Sequence, residues 1–158
     1  MSKQDIELTA YCGLYCGDCI RFKSRICDLS IDLLKELDGS DFEKYAKVVS
    51  SSSRNASRRK RFTKYQEFHE LLEEIASQQC IDPCRVRGGC STFKCEIVEC
   101  CSNKNFTGCW DCLEFENCDK FDFLKSMHGD NVLRNIREIK KFGLDEWADH
   151  RSKFYIWE

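Results

Sequence analysis

Along the middle of the chain the apolar residues return at three- and four-residue steps, which is the period of a helix buried on one face. Leu33, Leu34 and Leu37 fall on such a face, with Ser30 placed to cap the helix and Gly39 placed to end it. The "SDFE" of Ser40 to Glu43 has capping-box spacing and predicts a second helix carrying Phe42, Tyr45, Ala46 and Val49. A longer stripe runs through Phe62, Tyr65, Phe68, His69, Leu72, Ile75 and Ala76. Further on, Asp130 can cap a helix that turns Val132, Leu133, Ile136 and Ile139 inward, and Gly143 can close it in a left-handed cap. Asp145 opens a last short helix containing Trp147. Between Cys80 and Cys118 neither the helical nor the strand period is sustained. The expectation is a mostly α protein: about five helices packed around an irregular, cysteine-rich, metal-stabilised segment, with little or no β. It is read as one domain over 1–158. The N-terminal cysteine motif covers 9–27, a helical region 28–78 contains a basic loop at 50–64, the cysteine-rich segment covers 80–118, and C-terminal helices occupy 119–158.

Composition adds one decisive feature. With 158 residues, 42% hydrophobic and 33% charged, the chain can bury a modest core, and its net charge of −2 creates no general attraction for nucleic acid or membranes. The informative number is 13 cysteines. The N-terminus "MSKQDIELTA" has no basic region followed by an apolar run, and no apolar stretch approaches the ~18–20 residues that span a bilayer. This leads to the expectation of a cytoplasmic protein, in which thiols stay reduced and dense cysteine signals metal or redox chemistry. The odd count fits, since closed disulfides would leave one thiol over. No GxGxxG, phosphate-binding loop, GxSxG or HExxH is present, so no catalytic motif points to an enzyme.

Thiolates are soft anionic ligands, and four of them satisfy the tetrahedral preference of zinc. The spacings suit it: Cys12-x3-Cys16-x2-Cys19, Cys80-x3-Cys84, Cys90-x4-Cys95-x4-Cys100, and Cys109-x2-Cys112 with Cys118 six residues on. Cys27 has no partner at pair spacing and reads as a buried structural thiol. Cys101 adjoins Cys100, and neighbouring side chains rarely converge on one ion, so Cys101 is set aside. Eleven candidate ligands remain. They divide into two closed four-thiolate sites between Cys80 and Cys118 and an opening triple with a free fourth position. In a second division, a downstream cysteine or His128 completes the triple. His69 lies on an apolar stripe and reads as a core or boundary histidine, and His150 as a surface one.

The opening spacing C-x3-C-x2-C is also used by radical-SAM enzymes to hold an iron–sulfur cluster. Those enzymes follow it with strand–helix repeats and place an aromatic residue where this chain has Asp18, so that reading is rejected. The ferredoxin run is absent too. A different iron–sulfur cluster stands as an alternative cofactor to Zn2+, of which two or three ions are expected. From Arg54 to Lys64 there are six basic residues and no acidic one. The alternatives are an RNA contact and a solvated loop with a helix start. The solvated reading is preferred because no aromatics are interleaved for base stacking.

In order and spacing, "YCGLYCGDC", "FEKYAKVV", "FTKYQEFHELLEEI", "CIDPCRVRGGC", "CEIVECC", "CWDCLEFENC" and "NVLRNIREIKKFGLDEW" resemble the cysteine-rich "domain of unknown function 3795" proteins of bacteria and archaea. The resemblance spans roughly Thr9 to His150. It implies zinc held by cysteines and no assigned activity. Cys12, Cys16, Cys19, Cys80, Cys84, Cys95, Cys100, Cys109, Cys112 and Cys118 match the recurring cysteines. Cys90 fits less closely, with four residues before the next cysteine where the family more often has two. Asn117 and Ile20 stand where relatives often carry proline. The functional expectation is a zinc-stabilised interaction module for protein or RNA. The alternatives are a metal- or redox-responsive protein with a labile site at Cys12, Cys16 and Cys19, and a small iron–sulfur protein.

Overall fold

A computed structural model describes residues 6–52, 56–87 and 94–151. The protein is mostly α, and among these residues there is no strand, only an isolated antiparallel bridge between Thr9 and Tyr15. The helices are α1 (Ile20–Lys23), α2 (Ile26–Gly39), α3 (Phe42–Ser51), α4 (Ala56–Phe62), α5 (Tyr65–Ser77), α6 (Cys84–Arg87), α7 (Glu96–Asn103), α8 (Asp122–His128) and α9 (Asn131–Phe142). None is long and apolar enough to cross a membrane. The chain divides into two compact units, one made of Met1–Lys23 with Cys80–Glu158 and the other of Ser24–Gln79.

In the unit Ser24–Gln79, α2 lies against α5 and α3 against α4. The inward face of α2 is Cys27, Ser30 and Leu37, spaced by whole turns, so the thiol of Cys27 extends the apolar stripe upstream. The helix therefore begins at Ile26 rather than at Ser30. Ser30 does not cap; its hydroxyl donates to the carbonyl of Ile26 one turn back (2.9 Å). Leu33 is exposed rather than inward. The expected capping box at Ser40 is also absent, because only Ser40 and Asp41 separate α2 from α3. Ser40 is spent on the preceding helix, its hydroxyl donating to the Glu36 carbonyl (2.7 Å), while Asp41 makes the turn at φ 53°. The stripe from Phe62 to Ala76 is broken at Thr63–Lys64 into α4 and α5, so part of the expected basic loop is helical. His69 stands at the boundary, bonded to Asp38 through Nε2 (2.9 Å) and beside Glu73.

In the other unit the core is built around α9. Val132, Ile136 and Ile139 are buried, as the periodicity predicts, and so are Asn131 and Asn135 on the same face. Asp130 precedes the helix without a side-chain cap, and Gly143 ends it at φ 76° with its N–H on the Ile139 carbonyl (2.9 Å). The expected final helix is a single 3-10 turn, Trp147–Asp149. Trp147 is fully buried, donates Nε1–H to Thr9 Oγ1 (3.1 Å) and meets the Tyr15 ring edge-on. His150 is exposed and stacks on Phe142.

Candidate metal centre

The opening motif is shaped by its backbone. The Ala10 N–H reaches the Leu14 carbonyl and the Gly13 N–H reaches that of Ala10, a turn that puts Gly13 at φ 83°. A side chain there would be strained, and its Cβ would stand 3.2 Å from Ile136 Cγ1. The adjacent carbonyl of Gly13 accepts a hydrogen bond from the buried Asn135 amide (2.9 Å), fixing the loop to α9. Gly17 has a different reason: a Cβ there would fall 2.5 Å from the Tyr15 ring.

Two Cys-x2-Cys pairs then fold alike. Cys16–Asp18 is a 3-10 turn closed by the Cys19 N–H on the Cys16 carbonyl (3.0 Å), and Cys109–Asp111 is one closed by Cys112 on Cys109 (3.1 Å). A third such turn, Phe115–Asn117, ends in Cys118. Cys19, Cys112 and Cys118 leave these turns with nearly the same extended backbone, φ −71 to −80° and ψ 118 to 135°. One local device thus delivers three separate thiols.

The thiols collect around two cavities. Cys12, Cys16, Cys19, Cys80, Cys84 and Cys95 line one of about 230 Å3, together with Tyr15, Met127 and His128. Cys100, Cys101, Cys109, Cys112 and Cys118 line the other, of about 30 Å3, walled by Ile97, Phe106, Phe115 and Phe121. At the first, the Cys84 N–H points at Cys16 Sγ (3.4 Å), the kind of amide contact that favours a thiolate. At the second, Cys101 Sγ lies 3.9 Å from Cys109 Sγ. All twelve described cysteines are free thiols, and Cys27 stands apart, buried in the other unit. Cys90 lies outside the described residues. The opening triple therefore sits with downstream cysteines and His128 rather than by itself.

Cys101, set aside on spacing, is buried at the second cavity, while Cys100 is the more exposed of the two. The signal is helical phase: Ile97 and Cys101 are one turn apart on α7 and both face inward. Asp18 is occupied by a two-pronged ion pair with Arg151 (2.7 and 3.0 Å), and the Arg151 guanidinium also lies over the Tyr15 ring.

Arg85 joins the surroundings of the two cavities. Its Nε–H donates to the Thr9 carbonyl and its Nη1–H to the Thr107 carbonyl (3.0 Å each), and its plane lies over the rings of Tyr11 and Trp110. The Cys109 N–H on the Tyr11 carbonyl (2.8 Å) makes a second tie. Electrostatics differ among the thiols. Burial pushes Cys12 far above the usual thiol range, and the neighbouring Cys84, Cys16 and Cys95 add to the rise. The hydrogen bond between Cys101 and Cys109, with burial, raises Cys109. That same bond, helped by Arg85 and Lys104, draws Cys101 downward. Burial lowers His128, which favours its neutral, ligand-competent form.

Among the described residues, no three Cys, His, Asp or Glu side chains are gathered closely enough to hold an ion as they stand. The donor set nevertheless suits a soft cation. It consists of paired thiols at turn ends, beside backbone N–H groups and a fixed guanidinium, with no carboxylate in either lining.

No curated protein and no solved structure matches the chain. A family model described as "Protein of unknown function (DUF3795)" matches residues 8–123, well over half of the sequence. With its cysteine turns at both ends of that match, the chain belongs to the DUF3795 family.

Proposed function

We propose that this is a zinc-binding protein whose two cysteine clusters each hold an ion through thiolates, making the unit that contains them a metal-stabilised interaction module. The observation that carries this is the sorting of eleven free thiols, drawn from segments more than sixty residues apart in sequence, onto two cavities of one unit. The ligands at the first cavity come from Cys12, Cys16, Cys19, Cys80, Cys84 and Cys95, which line it together. His128 lines the same cavity. At the second cavity, Cys101, Cys109, Cys112 and Cys118 form the set, with Cys100 beside them. Zinc would supply the positive charge that holds buried thiols as thiolates and the cross-link that irregular chain lacks. The chain's own turns and Arg85 orient the sulfurs.

A second reading, a labile and responsive first site, is favoured by the difference in room. About 230 Å3 beside Cys12, Cys16 and Cys19 admits several waters or an exogenous ligand, whereas about 30 Å3 at the second cavity has room for only a few waters.

Metal analysis with an absorption spectrum, on tag-free protein purified without oxygen, tests the main reading. The expected result is a colourless protein with two zinc ions per chain. Brown protein containing iron and sulfide would replace zinc with an iron–sulfur cluster, and metal-free folded protein would overturn both. Chelator kinetics test the second reading: one equivalent should leave fast, and Cys16→Ser should abolish that phase. A single uniform rate contradicts it.

A further inference from the structure

The unit Ser24–Gln79 carries a charge separation that the metal chemistry does not use. From Lys44 to Lys64 the sequence has eight basic residues and no acidic one, and every acidic residue of the unit lies before or after that stretch. Lys44 and Lys47 are neutralised locally by Asp41 and Glu43. Arg58 donates to the Tyr45 hydroxyl (2.7 Å) and lies over the Phe62 ring. Arg59, Lys60, Arg61 and Lys64, on α4 and the turn after it, are exposed and make no ion pair with any described residue. A helix face stabilised only by water would gain from acidic partners one turn away, and the sequence supplies none for Arg59, Lys60 or Arg61.

Tyr45 and Phe62 are the aromatic residues within this stretch, and the fold gathers further rings around them. Phe62 at the end of α4 packs on Phe42 and Tyr45 of α3, and Phe42 packs on Tyr65 at the start of α5. Tyr45 and Phe68 are each 45% exposed at the margin of this ring cluster. Exposed cations on α4, a helix whose Arg58 lies against the rings, suit a polyanion that also has flat apolar faces. A polyglutamate has charge but nothing to stack, and a phospholipid surface has no planar bases.

We infer that the α3–α4 face binds single-stranded nucleic acid, with Arg59, Lys60, Arg61 and Lys64 on phosphates and Tyr45 offering a stacking surface for a base. Four phosphate contacts predict that affinity for a single strand falls about 50-fold between ~50 and ~200 mM salt, since the logarithmic slope is about −0.7 per contact. The test is fluorescence anisotropy of the full, metal-loaded chain with a labelled oligouridylate of roughly 16 nucleotides. Arg59→Ala/Lys60→Ala/Arg61→Ala should weaken binding and reduce the salt effect to about threefold over that range, as one remaining contact requires. The helix signal in circular dichroism should persist. The corresponding triple glutamine variant should behave alike, and it decides the matter if the alanine variant is misfolded. Tyr45→Leu should weaken binding about fivefold or more, as loss of a stacked base does, while Tyr45→Phe stays close to the parent. No binding at ~50 mM salt, or an unchanged slope in both triple variants, overturns the inference. So does equally tight binding of polyglutamate or of vesicles rich in phosphatidylglycerol.

Discussion

The two units reach order by opposite routes. In Ser24–Gln79, helices of up to 14 residues pack through apolar faces and join through short turns, with one cysteine serving as an apolar side chain. In the other unit, helices of 4 to 12 residues alternate with 3-10 turns, and eleven described cysteines surround two cavities. Helices of one or two turns are unstable by themselves in water, because nucleation costs more than so few hydrogen bonds return. A chain of such pieces needs cross-links from outside its periodicity. Here α9, buried Trp147 and the proposed metal supply them.

The sharpest way to break this contrast is to remove one thiol from each unit. Cys109→Ser should release about one zinc equivalent and destabilise its unit by several kcal/mol, since structural zinc in finger peptides contributes on the order of 10 kcal/mol. Cys27→Ala should lose no metal and cost about 1 kcal/mol, as a small buried group does. Metal content and denaturant midpoints read both, and metal loss from Cys27→Ala would erase the distinction. Next in size, Ile136→Ala and Leu72→Ala should each cost about 2–5 kcal/mol without changing the initial metal content. Apolar packing then matters in both units while metal matters in one. Asn135→Ala should cost about 1–3 kcal/mol by leaving the Gly13 carbonyl without its buried donor. If the opening loop is held by α9, that variant should also speed metal loss from the first cavity.

The smallest effect is one of pH. His128 has a folded-state pKa below its ordinary value of 6.5, because half-burial disfavours the charged ring. The unfolded state therefore binds the proton more readily, and stability declines as pH falls through 6.5 toward the lowered value. His128→Gln should flatten that decline by only a fraction of a kcal/mol, because the residue is partly exposed and solvent still screens its charge. An NMR titration of the zinc-loaded, folded protein showing His128 at or above 6.5 would remove the effect.

Legibility follows the same division. The stripes of α3, α5 and α9 are readable in the sequence because their apolar residues keep one phase over two to three turns. Helix ends are not. Ser30 and Ser40 have the residue type of caps, but each is used one turn back on its own helix, a choice made by where the neighbouring helix begins. The cysteine spacings identify local pairs and the shared turn geometry, since those are short-range. Which thiols meet across the chain depends on Arg85, Asn135 and Tyr11 bringing distant segments together, and spacing carries no record of that. That Cys101 faces inward is carried by its helical phase with Ile97, which cysteine spacing does not record.

Hydrogen exchange on the full chain, compared before and after chelation, tests the central claim most directly. If metal orders only the cysteine-rich unit, the amides of Cys19, Cys112 and Cys118, which close the three 3-10 turns, should lose protection when metal is removed. Those inside α2 and α5 should keep theirs. Protection that is the same with and without metal, or lost equally in both units, would contradict it.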